Sequence, residues 1–549
     1  MIRSIIGLAF ATTLLGASAG QAQQQAAQQG SAPMQVIAGR ALGASPAVAA
    51  LPPAAAAQIG RHAMPLGVRP PPPRPPGVPF ADPALQRAYP PSAAARAVLT
   101  RPILDFAGLG VDLPGFSVCC TPPDTNAAVG TTQVVETVNV SFAVFSKSNG
   151  KKVSGPSDLS ALYAGVGTNC ENGFLSDPVV LFDHFHKRWV ITFLAAADSS
   201  LDTPYDQCIA VSQSADATGK YFLYTYDVTN LPNASDVFND YGKIGIRPDA
   251  YYMSFNEFSG SSGPDVGAAA CAFPSASMIA GSAGSMICFG PIASEFGLLP
   301  SDADGRRPPH KGEPDFYIGS LDGSEHFNLW KFHVDFATPT KSTFTGPTTL
   351  QVAPYTEACI DQCIPQPAGG DFLEGLGDRL MFRAAYRNFR SHESIVVSHS
   401  VVVPAPTSNT VGIRWYEIRR PDATNPVIFQ QGTFAPDASF RWMPSIAMDR
   451  EGDIALGYSV SDATSVFPSI RYTGRTPSQK AGTMTAESGI VAGAADLNDD
   501  GFDRWGDYSS MAIDPVDGCT FWYAQEYVSQ SGTFNWSTRL ASFRFRRCR

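Results

Sequence analysis

Six short apolar strands, each opening on an acidic or aromatic residue, recur along this chain at nearly constant spacing. They are Asp124-Thr-Asn-Ala-Ala-Val129, Asp177-Pro-Val-Val-Leu-Phe182, Asp240-Tyr-Gly-Lys-Ile-Gly-Ile246, Asp378-Arg-Leu-Met-Phe382, Trp442-Met-Pro-Ser-Ile-Ala-Met448 and Asp507-Tyr-Ser-Ser-Met-Ala-Ile513. Their last residues lie 53, 64, 136, 66 and 65 positions apart, and the long step is two of the ordinary ones. The missing unit is expected at Asp315-Phe-Tyr-Ile-Gly-Ser-Leu321, followed by the strand Asn328-Leu-Trp-Lys-Phe-His-Val334. Units of this length, each with room for four short strands between Gly, Asp and Asn turns, are the sequence form of a β-propeller. The expected fold is all-β, a seven-bladed β-propeller over residues 101–549. A large β-sandwich or two smaller β domains is the alternative. A propeller must close its ring to avoid an unpaired edge. The last unit has only three strands, ending in Thr538-Arg-Leu-Ala-Ser-Phe-Arg-Phe545, so Ile103-Leu-Asp-Phe-Ala107 is expected to supply the fourth.

Ahead of that domain, Met1 to Ala22 has the form of a secretory signal peptide, with Arg3, the apolar stretch Ile5–Leu15 and Ala17-Ser-Ala19 as a small-residue cleavage site. Residues 23–100 are rich in Ala, Gln and Pro, including Arg69-Pro-Pro-Pro-Pro-Arg74, and are expected to form a disordered linker or a pro-segment. No later run reaches the ~18 apolar residues of a membrane span. The formal net charge of -10 argues against nucleic acid as a partner. A secreted or periplasmic monomer follows, with a glycan or cell-surface polymer as the expected partner. Ten cysteines in an exported chain point to disulfides. Cys519 is expected to pair with Cys548, and the neighbours Cys119 and Cys120 with separate partners.

Three stretches carry a family resemblance: Pro122-Pro-Asp-Thr-Asn-Ala-Ala-Val-Gly130, Arg441-Trp-Met-Pro-Ser-Ile-Ala-Met-Asp449 and Arg504-Trp-Gly-Asp-Tyr-Ser-Ser-Met-Ala-Ile-Asp514. They resemble a group of uncharacterised secreted bacterial proteins placed among the sialidase-like propellers. The turns Asp449-Arg-Glu-Gly452 and Asp514-Pro-Val-Asp-Gly518 match only part of the sialidase Asp-box, lacking its Ser-x-Asp-x-Gly-x-Thr-Trp form. The resemblance implies the fold and leaves the activity open.

In a propeller the first strand of each blade lines the central channel, so Asp124, Asp177, Asp240, Asp378 and Asp507 are expected around one channel mouth. Converging carboxylates repel unless cations or shifted pKa values offset them, and Lys243, Arg379, Arg441 and Arg504 stand beside them in sequence. The five aspartates are thus candidate catalytic carboxylates for glycoside cleavage, with Arg379, Arg441 and Arg504 holding an acidic glycan in a hydrolase or lyase. A non-catalytic binding or scaffold propeller is the alternative, in which each Asp bonds local backbone. Glu526 and Glu393, the latter near Tyr386, are loose candidates for a nucleophile pair. Asp496-x-Asn498-x-Asp500-Gly501, with Asp507 at the twelfth position, resembles a calcium loop with Asp in place of the usual Glu. A structural calcium is expected there. His184-Phe-His186 lacks a third zinc ligand nearby, and no Gly-x-Ser-x-Gly, His-Glu-x-x-His or phosphate-binding motif occurs.

Overall fold

The computed structural model describes residues 32–54, 62–63, 82–88, 98–231, 234–320, 325–404, 410–499, 501–502 and 504–548. Among the described residues the main strands form seven antiparallel four-stranded meanders, the last taking its fourth strand from the N-terminal side of the first. Their first strands are Asn126–Val129, Phe174–Asp183, Val237–Ile246, Phe296–Asp304, Met381–Asn388, Phe440–Met448 and Ser510–Ile513. Each first strand packs against the next, and the seventh packs back against the first, which closes a ring. In the fourth and fifth meanders the contact is a parallel ladder, Ser301 to Ala384 through Asp304 to Arg387.

Strands packed on both faces read as continuous apolar runs, as in Arg188–Ala196, where only the first residue is not buried. Rim strands such as Thr343–Gln351 bury a residue only here and there. Trp189, Trp415, Trp442, Trp505 and Trp536 fill the spaces between sheets and are fully buried. The fourth meander opens at Phe296 rather than at the expected Asp315, which begins its second strand. The true opening, Phe296-Gly-Leu-Leu-Pro-Ser, carries no Asp, the residue that opens five of the six recognised units.

The first strands share a device. Registers shift between Ser176 and Val179, Asp240 and Lys243, Phe296 and Leu299, and Trp442 and Ser445. Each bulge holds a left-handed residue: Asp177 at φ 54, Tyr241 at φ 55, Gly297 at φ 58 and Met443 at φ 47. Bulges of this kind turn side chains away from the ordinary alternation of a strand, here at the end of the ring where the expected site lies. Gly297 is required twice over, because a Cβ there would also come within 2.7 Å of Arg379 Cβ.

The last meander is completed by Leu104–Gly110, which pairs with Trp536–Arg544, as the sequence predicts. The stretch expected to be a disordered linker is partly folded onto the ring, a correction to the boundary at residue 101. Met34–Ala38 adds a fifth strand to the third meander and Arg40–Ala44 one to the second. Leu85–Gln86 pairs with Val427–Phe434 of the fifth, where Arg414 bonds Asp82 at 2.7 Å. These Pro-free pieces satisfy sheet edges that would otherwise be open. The Pro-rich run at 69–76 and the signal peptide lie outside the described residues.

All ten cysteines are bridged. Cys519 pairs with Cys548 as expected, but Cys119 and Cys120 pair with each other. The remaining six close within local stretches, Cys170 with Cys208, Cys271 with Cys288 and Cys359 with Cys363, which leaves the adjacent pair no other partner. Among the described residues no helix is long and apolar enough to cross a membrane.

Candidate functional site

The bulged strand starts gather the expected aspartates at one end of the ring, and none of the five is more than 6% exposed. Asp124, left-handed at φ 48, accepts from Asn139 Nδ2 at 2.7 Å and from the Asp507 backbone N–H at 2.8 Å. Asn139 Oδ1 in turn accepts the Asp177 N–H at 3.2 Å, so one amide fixes two neighbouring strand starts. Ser176 donates to Asp177 Oδ1 at 2.9 Å. Asp177 Oδ2 and Asp240 Oδ2 are buried without a hydrogen-bond partner. The Lys243 ammonium sits 3.5 Å from the Tyr241 ring centroid and 3.9 Å from that of Tyr508.

Burial pushes the Asp124 carboxyl well up, and the charges of Asp507 and Asp177 add to it. Asp240 is pushed to about 7 by burial, then by Asp177 and Asp507. Asp507 is raised by burial against the opposing pull of Arg504 and Arg379. Lys243 is lowered to about 8 by burial, with Asp177, Asp124, Asp507 and Asp240 all acting the other way. These four aspartates therefore share one electrostatic cluster. Two further carboxyls join it: Glu374, raised by burial to about 8, and Glu526, also raised by burial. Counting Asp378, seven carboxyls face Lys243, Arg379 and Arg504, and protons on the raised carboxyls make up the difference.

The arginines are committed within the protein. Arg379 Nε donates to Asp378 Oδ1 at 2.8 Å, its guanidinium over the rings of Tyr241 and Phe296. Arg504 joins Glu374 and Asp507, each at 2.7 Å. Arg441 does not reach the cluster at all. It forms a fork to Asp437, at 2.8 and 2.9 Å, and a second to Glu487. The expected three-arginine clasp for an acidic sugar is not assembled, because each guanidinium already has a carboxylate of its own.

Two loops cap the cluster. The loop 359–376, clipped by Cys359–Cys363, delivers Glu374, which accepts the Trp505 N–H at 3.0 Å. The loop 494–508 is tied to it where Leu497 N–H donates to Gln366 Oε1 at 2.7 Å, and to the ring where Gly506 N–H donates to Glu526 Oε2 at 2.9 Å. This second loop contains the calcium motif. Asp496 lends its backbone carbonyl to Asn535, and Asn498 its own to Phe534. Asp500 lies outside the described residues. Asp507, the twelfth-position ligand, is turned into the buried cluster by Arg504, so it is not offered to the loop in the manner of a calcium hand.

Farther along the ring axis, Phe182, His184, Asp302, Asp304, Phe382 and Arg383 border a cavity of about 40 Å³. That volume holds a few waters, at roughly 10–15 Å³ each. Arg383 bridges Asp302 and Asp304 beside it. His184 bonds the Gly305 carbonyl and His186 bonds Asp183, so the two imidazoles have separate partners. At the outer side of this end stands a group that sequence reading touched only through Glu393 and Tyr386. Tyr386 Oη lies 2.9 Å from Glu393 Oε1 and 3.1 Å from Glu313 Oε1, which also accepts from Arg247 Nη2 at 2.8 Å. Arg247 and Glu313 come from the third and fourth meanders, and no local pattern links them to Glu393.

No family model and no curated protein matches the sequence. Among solved structures, the α-L-arabinofuranosidase Arb93A from Fusarium graminearum, in complex with an iminosugar inhibitor, is 9% identical with a TM-score of 0.36, covering 78% of this chain and 94% of its own. An α-L-arabinofuranosidase from Lactobacillus brevis is 10% identical with a TM-score of 0.27, covering 67% and 90%. BT0996 in an RGII complex is 10% identical with a TM-score of 0.28, covering 57% and 89%. None of these three is named a sialidase.

Proposed function

We propose that the seven meanders are the blades of a seven-bladed β-propeller, exported through the leader at Met1–Ala22, monomeric, and acting as a non-catalytic carbohydrate-binding platform. The observation that carries this reading is the closed state of the central cluster beside open aromatic rings on its caps. All five candidate aspartates are buried, and Arg379 and Arg504 are bonded to buried carboxylates, which suits a rigid hub better than a reaction centre. On the capping loops, by contrast, Phe372 is 53% exposed and Phe502 46%. The same loops carry Asp371, Asp496 and Asn498. Exposed rings that stack on sugar faces, with oxygen-bearing side chains that accept from hydroxyls, fit a neutral glycan rather than an acidic one. Affinity electrophoresis of the full chain in gels cast with arabinan, xylan, polygalacturonate or no polymer tests this. Retardation by a neutral polymer, lost in Phe372→Ala/Phe502→Ala, is the expected result. Retardation by polygalacturonate alone, or by nothing, overturns it.

The second reading, a glycoside hydrolase or lyase on an acidic glycan, is favoured by one observation. Asp240 is pushed to about 7 by burial and by the charges of Asp177 and Asp507, which makes it a carboxyl able to hold a proton near neutrality. Release of sugar from a sialylated or uronic-acid glycan by wild type and not by Asp240→Asn would support it. Calcium stays a proposal for the loop as well, resting on Asp496, Asn498 and Asp500 without Asp507.

A further inference from the structure

The loop 305–314 joins the first two strands of the fourth meander and places His310 and Glu313 against the fifth, where Tyr386 and Glu393 flank the corresponding turn. One ligand atom from each of His310, Glu313 and Glu393 lies within 4.8 Å of the other two. The His310 imidazole is open, its side chain 74% exposed, and its Nε2 is 3.4 Å from Glu393 Oε1. Its own backbone N–H donates to Glu313 Oε2 at 2.9 Å, which holds the loop in place.

Proton counting shows that something is missing from this group. Tyr386 has one hydroxyl proton, yet its oxygen lies within hydrogen-bond distance of both Glu313 and Glu393, at 3.1 and 2.9 Å. One phenolic proton cannot serve both contacts. Either an additional proton or a cation must sit among them. Behind the group, the buried Arg247 guanidinium is shared between Glu313 Oε1 at 2.8 Å and Asp315 Oδ1 at 3.4 Å.

We propose that His310, Glu313 and Glu393 bind a divalent transition cation of the zinc class. One imidazole nitrogen with two carboxylates suits such an ion better than calcium, which takes oxygen ligands throughout. Bonds of roughly 2.0–2.2 Å place tetrahedral ligand atoms about 3.4 Å apart, so only a small movement of the exposed imidazole closes the set. Tyr386 and Arg247 then orient the carboxylates from behind, as outer partners do at metal sites. The fourth position faces solvent on the His310 side and is left for water or an outside ligand.

Calorimetric titration of zinc chloride into the EDTA-stripped full chain, with metal counted after gel filtration, tests the assignment. One zinc per chain is expected, with affinity at least tenfold weaker in His310→Ala and in Glu393→Gln, unchanged in His333→Ala, and undisturbed by millimolar calcium. Because His310 is exposed, His310→Ala leaves the fold intact, and a matching circular dichroism melt confirms it. Absence of stoichiometric zinc from wild type, equal affinity in His310→Ala, or displacement by calcium overturns the proposal.

Discussion

At the end of the ring where the first strands begin, seven carboxyls meet three basic side chains behind two interlocked loops, with the five aspartates no more than 6% exposed. At the opposite end, Glu313 and Glu393 meet Arg247 and Tyr386 under an imidazole that is 74% exposed. The chemistry of the two groups is alike: excess carboxylate, one or more buried guanidinium groups, and tyrosine rings. Access separates them. The closed cluster must settle its charge with protons held inside the fold, so it behaves as part of the stability of the ring. The open one can exchange its missing positive charge with solvent, so it behaves as a site.

The sharpest way to break this contrast is to remove a cation from the closed side. Arg504→Met leaves Glu374 and Asp507 buried without their partner, and urea unfolding is expected to show a loss of about 3–5 kcal/mol. A loss below about 1 kcal/mol, the level of an exposed ion pair, would mean that solvent reaches the cluster after all.

Next in size is a pH effect. Asp240 has its folded pKa raised from 3.8 to about 7, so its contribution to stability is full below pH ~4 and is lost as pH rises through about 7. At ~1.4 kcal/mol per unit the closed cluster is expected to lose a few kcal/mol between pH 4 and 8. Melting curves across that range should slope downward for wild type and less so for Asp240→Asn, which keeps a neutral side chain throughout. Identical slopes would remove the aspartate from the cluster's proton account.

Calcium offers a smaller test on the cap. If the 494–508 loop binds the ion, stability rises by about 2.7 kcal/mol at a hundredfold excess over Kd, read as a melting shift between chelator and millimolar calcium that Asp500→Ala abolishes. Equal melting temperatures for wild type in both conditions would rule it out. The smallest effect is expected at the open end: without metal, His310→Ala should change stability by less than about 0.5 kcal/mol, as an exposed side chain does. A larger loss would make that group structural too.

The spacing of the inner strands, the closing partner near Leu104 and the Cys519–Cys548 bridge were legible in the sequence, because each depends on a local pattern repeated or left over. The convergence of Asp124, Asp177, Asp240 and Asp507 was legible for the same reason. What covers them was not. Glu374 arrives from the loop 359–376, outside the repeated strand pattern, and nothing near Arg504 announces it. Arg441 follows the repeat in sequence but finds Asp437 four residues earlier, and short-range pairing wins over reach to the axis. Glu313 and Arg247 lie 66 positions apart, and only the stacking of three sheets brings them to Glu393. The edge strands at Met34–Ala38 and Arg40–Ala44 were hidden by composition, since a few alternating residues are diluted by the Ala and Gln around them.

The strand Leu104–Gly110 also has a consequence in time. Its backbone meets the far end of the chain, where Leu104 N–H donates to Ser542 Oγ across 438 positions of sequence. As the chain is delivered from its N-terminus, six meanders can form while this strand waits unpaired, and the ring closes only when the last few dozen residues arrive. A ring built this way is complete only after its last meander has been delivered. Loss of even the final strand would leave two open edges rather than one shortened sheet.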